Sequence, residues 1–181
     1  MSNQPEINPV SDLAVQALKR QLLGGLDMLS NAMSACPARL WQARLWPVSD
    51  IQGDFSAFWY LGFHTLFWFD LYLDGALEGF APPEPFNLDE LDPAFVLPSR
   101  VYTPDELQTY LAHGRAKCLT RLNALDAAAT GKTSGFTWLP CSYFEVQMYN
   151  MRHVQEHSAQ LNMFLGQTAG IDARWVKFGA V

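Results

Sequence analysis

Apolar residues recur along this chain with the period of an α-helix in several long stretches. Leu18, Leu22, Leu26, Leu29 and Met33 fall three or four residues apart, the spacing that stacks side chains on one helical face. Ser11 stands where a hydroxyl can accept the first free backbone N–H groups, and Cys36-Pro37 closes the stretch because the residue before a proline disfavours helix. The pattern therefore predicts a first helix from Ser11 to about Cys36. A connector from Pro37 to Gly53 follows, with Trp41 and Trp46 placed to cover one end of the core. A second helix is predicted from about Asp54 to Leu73. It is apolar nearly all round, the mark of a buried helix, and Gly75 and Gly79 end it.

Residues 74–102 hold Pro82, Pro83, Pro85, Pro93 and Pro98, with Glu84, Asp89, Glu90 and Asp92 between them. So many prolines preclude a regular helix. An irregular connection of this length in a compact domain is usually functional or flexible. It reads as an ordered excursion anchored by Phe80, Phe86, Phe95 and Tyr102. Thr103-Pro-Asp-Glu106 combines a cap, a proline at the first helical position and a capping-box glutamate, and predicts a third helix to about Ala129. Ser142-Tyr-Phe-Glu145 opens a fourth, to about Thr168 before Gly170. Ile171 to Val181 is expected to pack as an extended tail. No alternating strand pattern or internal repeat is present. The expected fold is all-α: an up-down four-helix bundle in one domain, residues 11–181, after a flexible stretch at 1–10.

Length and composition narrow the function. A chain of 181 residues, 49% apolar, can bury a sizeable core. The net charge of -6, without a basic stripe, argues against a nucleic-acid partner. The N-terminus lacks the pattern of a secretory signal, and the apolar run Phe55–Phe69 is too short to span a bilayer. No membrane partner and a cytoplasmic location are the default expectations. Cys36, Cys118 and Cys141 are too scattered for a disulfide framework or a thiolate zinc site. Cys141, just before a helix start, is a conceivable reactive thiol, although packing is its commoner role. Gly131-Lys-Thr-Ser resembles the end of a phosphate-binding loop, but Asp126 stands where its glycine is required.

The chemistry concentrates in histidine. His153 and His157 sit four residues apart on the predicted fourth helix, on a stripe with Tyr149, Asn150, Gln160, Leu161 and Phe164. His64 lies in the most apolar helix, where a polar ring needs a partner. Such features arise singly in helical proteins without metals. Their coincidence points to three imidazoles converging on a divalent metal, with coordination positions left open for water or a substrate. Imidazole suits zinc, nickel, iron and copper alike. Asp70 and Glu156 are the nearest carboxylates able to orient a ligand ring. Glu156 lies off the inward stripe and reads as a surface charge, whereas Asp70 sits amid aromatics. Tyr60 and Trp68, one turn either side of His64, can wall the site, and Asn150 and Gln160 are further pocket candidates. His113 has no partner at helical spacing and reads as a surface or capping residue. With no nucleophile elbow, any reaction is expected to depend on the metal.

Phe63-His-Thr-Leu-Phe-Trp-Phe-Asp-Leu-Tyr-Leu73 and Arg152-His-Val-Gln-Glu-His-Ser-Ala-Gln-Leu161 resemble the DinB-like (YfiT-like) superfamily of four-helix metal-binding proteins. Phe80-Ala-Pro-Pro-Glu-Pro-Phe86 and Pro98-Ser-Arg-Val-Tyr-Thr-Pro104 look like a subgroup with a long proline-rich excursion. The resemblance runs from about Ser11 to Trp175. It implies a metal triad of His64, His153 and His157, holding zinc, nickel or iron. It further implies a thiol S-transferase, isomerase or hydrolase working on a small molecule, some relatives using a low-molecular-weight thiol. Arg152 is the one cation beside the triad available to such a thiol. The alternative expectation is a non-enzymatic, stress-linked homodimer that binds metal or a small ligand.

Overall fold

The computed structural model of the chain describes residues 10–47 and 53–179. The flexible stretch expected at residues 1–10 lies, apart from Val10, outside them. Among the described residues the structure is all-helical, with two isolated β-bridges, Arg44 to Ala57 and Thr133 to Ser142. The helices are α1 (Asp12–Ala35), α2 (Phe58–Asp74), α3 (Pro104–Asn123), the short α4 (Ala127–Gly131) and α5 (Tyr143–Ala169).

Capping accounts for most boundaries. Ser11, Thr103 and Ser142 each accept a backbone N–H at the start of α1, α3 and α5. Gly75 and Gly170 end α2 and α5 in the left-handed conformation that glycine adopts without steric cost. Two boundaries differ from the sequence expectation. Residues 53–56 form a separate 3-10 turn and Ala57 is extended, bridged to Arg44, so α2 starts only at Phe58. The third helix stops at Asn123, because the Asp126 side chain accepts the Ala129 N–H at 2.7 Å and starts a new turn.

The Thr103 cap carries a pH dependence. Bonds from Arg100 and then the Thr103 N–H hold the Glu106 carboxyl down from its ordinary 4.5 to about 2. A depressed carboxyl stabilises the fold above its unfolded value and loses that contribution as pH falls through the folded one. The stability difference between wild type and Glu106→Gln in urea unfolding is therefore expected to be constant above about pH 5. It should close as pH drops from 4.5 toward 2. Thr103→Ala is expected to cost about 1 kcal/mol in the same measurement.

The long helices form a ring in which α1 and α2 each pack between α3 and α5. Direction follows from pairwise contacts. Along α2 and α3 the paired positions rise together: Gly62 faces Leu107, Phe69 faces Gly114, and Asp70 binds Lys117. Along α2 and α5 they run oppositely, Phe58 meeting Phe164 while the Tyr72 carbonyl accepts from Gln147. Along α1 and α3 they also run oppositely, Lys19 bonding Asn123 and Ser30 bonding Gln108. The order is thus up-down-down-up, which corrects the simple up-down alternation expected from four consecutive helices. Residues 75–103 are the cause: they can travel back along α2, about 25 Å long, so that α3 starts at the same end.

That excursion is seated by Phe80, Phe86 and Tyr102, all buried, with Phe86 stacked on Tyr110 at 4.4 Å. Phe95, expected as a fourth anchor, is instead 77% exposed, with a left-handed φ of 53°. At one end of the ring Trp41 is buried and donates to the Tyr102 carbonyl at 2.8 Å, while Trp46 is partly exposed. The tail runs back beside α1, with Asn31 donating to the Arg174 carbonyl and the Gly179 N–H to that of Arg20.

Candidate metal centre

Antiparallel packing of α2 on α5 brings the three histidines together. One ring nitrogen from each of His64, His153 and His157 lies within 4.8 Å of the other two. His64 Nε2 and His153 Nε2 are 3.3 Å apart. Two nitrogens bound to one zinc at about 2.0–2.1 Å and at the tetrahedral angle are also about 3.3 Å apart, so this separation fits a shared cation. His157 Nδ1 donates to Gln160 Oε1 at 2.8 Å, one turn on, leaving Nε2 as the nitrogen with a free lone pair.

The partner of His64 comes from outside the bundle helices. A 3-10 turn at Asp89–Leu91 in the excursion lays Glu90 over α2. Its carboxylate accepts from His64 Nδ1 at 2.7 Å, Trp68 Nε1 at 2.8 Å and the Tyr60 hydroxyl at 2.5 Å. The Glu90 side chain is only 5% exposed. Burial pushes its carboxyl up, but the bonds from His64, Tyr60 and Trp68 prevail and hold it below the usual carboxylate value. A carboxylate can only accept, so His64 Nδ1 carries a proton, and Nε2 is the nitrogen that faces His153.

Burial, with the neighbouring rings of His64 and His157, lowers the His153 pKa to about 2. Burial also lowers that of His157, against the Gln160 bond. Both are therefore neutral at physiological pH, the form that binds metal. His153 Nδ1 is buried without a hydrogen-bond partner, so the ring has its remaining polar atom at Nε2, among the other histidines.

The other predicted site residues divide. Tyr60 and Trp68 line the cleft beside His64 and bind Glu90. Gln160 orients His157. Asn150 faces away, donating to the Phe69 carbonyl at 3.1 Å. Asp70 does not orient a ligand ring: six positions beyond His64, about 240° around the helix, it faces α3. There it is fully buried, bonded to Lys117 Nζ at 2.6 Å and to the Tyr110 hydroxyl at 3.1 Å. His113 Nε2 stands 3.7 Å from the same carboxylate. Glu156 is exposed, as expected. Arg152, expected as a cation beside the triad, does not line its cleft. The role expected of Asp70 falls to Glu90, which the sequence shows only as one acidic residue of the proline-rich segment.

Beside the triad lies a cleft of about 490 Å³, walled by aromatic rings and by residues of the excursion. Among the described residues, no cysteine, serine or lysine lines it. Burial raises the thiols of Cys36 and Cys118 to about 12. Burial and then the Glu145 carboxylate raise that of Cys141, so the helix start does not activate it.

No protein-family model matches the chain, and no curated protein or solved structure matches it either. Among the described residues no helix is long and apolar enough to cross a membrane.

Proposed function

We propose that the chain is a DinB-like metal-binding protein in which His64, His153 and His157 hold a divalent ion: zinc, nickel or iron. The observation that carries this reading is the 3.3 Å approach of two imidazole nitrogens within a three-histidine cluster. Three neutral protein ligands leave room for an exogenous one. A metal bound there supplies Lewis acidity to a water or a small thiol, and the activity is a metal-dependent transfer or hydrolysis. The chain's own residues supply geometry: Glu90 and Gln160 fix two ligand rings, and Tyr60 and Trp68 hold Glu90.

A second reading, binding of metal or a small ligand without catalysis by a homodimer, is favoured by the lack of cysteine, serine or lysine among the described residues lining the cleft. Turnover of activated esters and of electrophile–thiol pairs by metal-loaded protein separates the two. A rate that disappears with His64→Ala supports the enzyme; stoichiometric metal with no turnover supports the binding protein.

Glu90→Gln tests the support of the ligand ring. The amide retains the shape but loses the charged acceptor, and zinc affinity is expected to fall by about 10–100-fold. Competition with a chromophoric chelator reads this directly, and an unchanged affinity would remove Glu90 from the centre.

A further inference from the structure

The cleft beside the triad has a chemical bias that the histidines do not account for. Its walls include Trp68, Tyr72 and Tyr149, with Trp68 and Tyr72 centroids 5.5 Å apart and the Tyr72 and Tyr149 rings edge to face at 5.4 Å. Phe95 and Val96 stand exposed among its lining residues, so it has an apolar rim facing solvent. Among the described residues, the charged side chains lining it are carboxylates, Asp89, Glu90 and Asp92, with no lysine or arginine. Glu90 is committed to His64, Tyr60 and Trp68. Asp92 spends one oxygen on the Ala94 N–H at 2.8 Å. The Asp89 carboxylate is bonded by the Asn87 side chain, while its Oδ2 has no hydrogen-bond partner. Acidic walls, beside rings set at angles to one another, suit a ligand that brings both N–H donors and positive charge.

We infer that the cleft takes an aromatic or apolar molecule bearing a protonated amine, with the ammonium at Asp89 and Asp92 and the apolar body against Trp68, Tyr72 and Tyr149. This rests on the proposed function only in taking the cleft as the substrate site of the metal centre. In the metal-free cleft anionic ligands meet like charge and no lysine or arginine among the described lining residues, whereas an ammonium gains both the carboxylates and the ring faces.

Three probes of nearly equal size test it: 2-phenylethylamine, 2-phenylethanol and phenylacetate, titrated at pH 7 into full-length protein, zinc-loaded and chelator-treated, with tryptophan fluorescence and calorimetry as readouts. The amine is expected to bind at least about tenfold more tightly than either other probe to the chelator-treated protein, with a smaller margin when the metal's charge is present. Asp89→Asn, and independently Asp92→Asn, should each narrow the margin while leaving 2-phenylethanol unchanged. Equal affinities, a preference for phenylacetate, or no binding of the amine at millimolar concentration would overturn the inference. Zinc affinity measured on the same samples keeps the two readings apart. An amine preference without zinc binding removes the metal centre alone, and zinc binding with a phenylacetate preference removes the amine site alone.

Discussion

His153→Ala is expected to lower zinc affinity by at least about a hundredfold while leaving the helical content unchanged. The three rings form a triangle with centroids 5.2, 5.1 and 4.5 Å apart, and His153 Nε2 is 3.3 Å from His64 Nε2. Its removal leaves two imidazoles from different helices. Metal content after dialysis, together with competition titration, measures the loss. The apo protein should tolerate the change, because burial already keeps the ring neutral and no charged contact disappears with it. Undiminished zinc binding by this variant would sink the three-histidine centre, whatever activity the protein has.

Lys117→Met is expected to destabilise the fold by about 3–5 kcal/mol, the cost of leaving a buried charge without its partner. Asp70 is fully buried, and Lys117 Nζ donates to both its side chain and its backbone carbonyl. Asp74, which shares the lysine, retains Arg121 at 2.6 Å. Asp70 would keep only the Tyr110 hydroxyl and the half-exposed His113. Urea unfolding at pH 7 measures the loss. The double variant Asp70→Leu/Lys117→Met should recover much of it, since replacing both members of a buried pair with apolar groups is often nearly neutral. A loss below about 1 kcal/mol in the single variant would show that the pair contributes little more than an exposed one.

Much of the helical framework was legible because its signals are local. The leucine stripe of α1 and the boxes at Thr103 and Ser142 depend on residues within one or two turns, and those boundaries hold to within a residue. The end of the third helix was not legible. Alanine at 127–129 continues a helical pattern well, and only the bond from Ala129 N–H to the Asp126 side chain reveals a restart. The direction of α3 was equally hidden, since it depends on the path taken by residues 75–103.

Among the site residues, the His153–His157 pair was visible as a spacing, and His64 as a polar ring in an apolar helix. Asp70 seemed the better orienting carboxylate because it shares a helix with His64, yet helical rotation turns it toward α3 and Lys117. Glu90 carried no comparable signal. Its place above His64 results from Phe80, Phe86 and Tyr102 seating the excursion on the aromatic faces of α2 and α3.

By itself the sequence determined that this chain is helical, where most helices start and stop, and which imidazoles are available to a metal, because capping and periodicity are short-range effects. Tertiary structure alone decided the up-down-down-up order, the pairing of Glu90 with His64, the diversion of Asp70 into an ion pair, and the acidic aromatic cleft. Each of these depends on contacts between residues far apart in sequence, and packing of the long excursion selects among them.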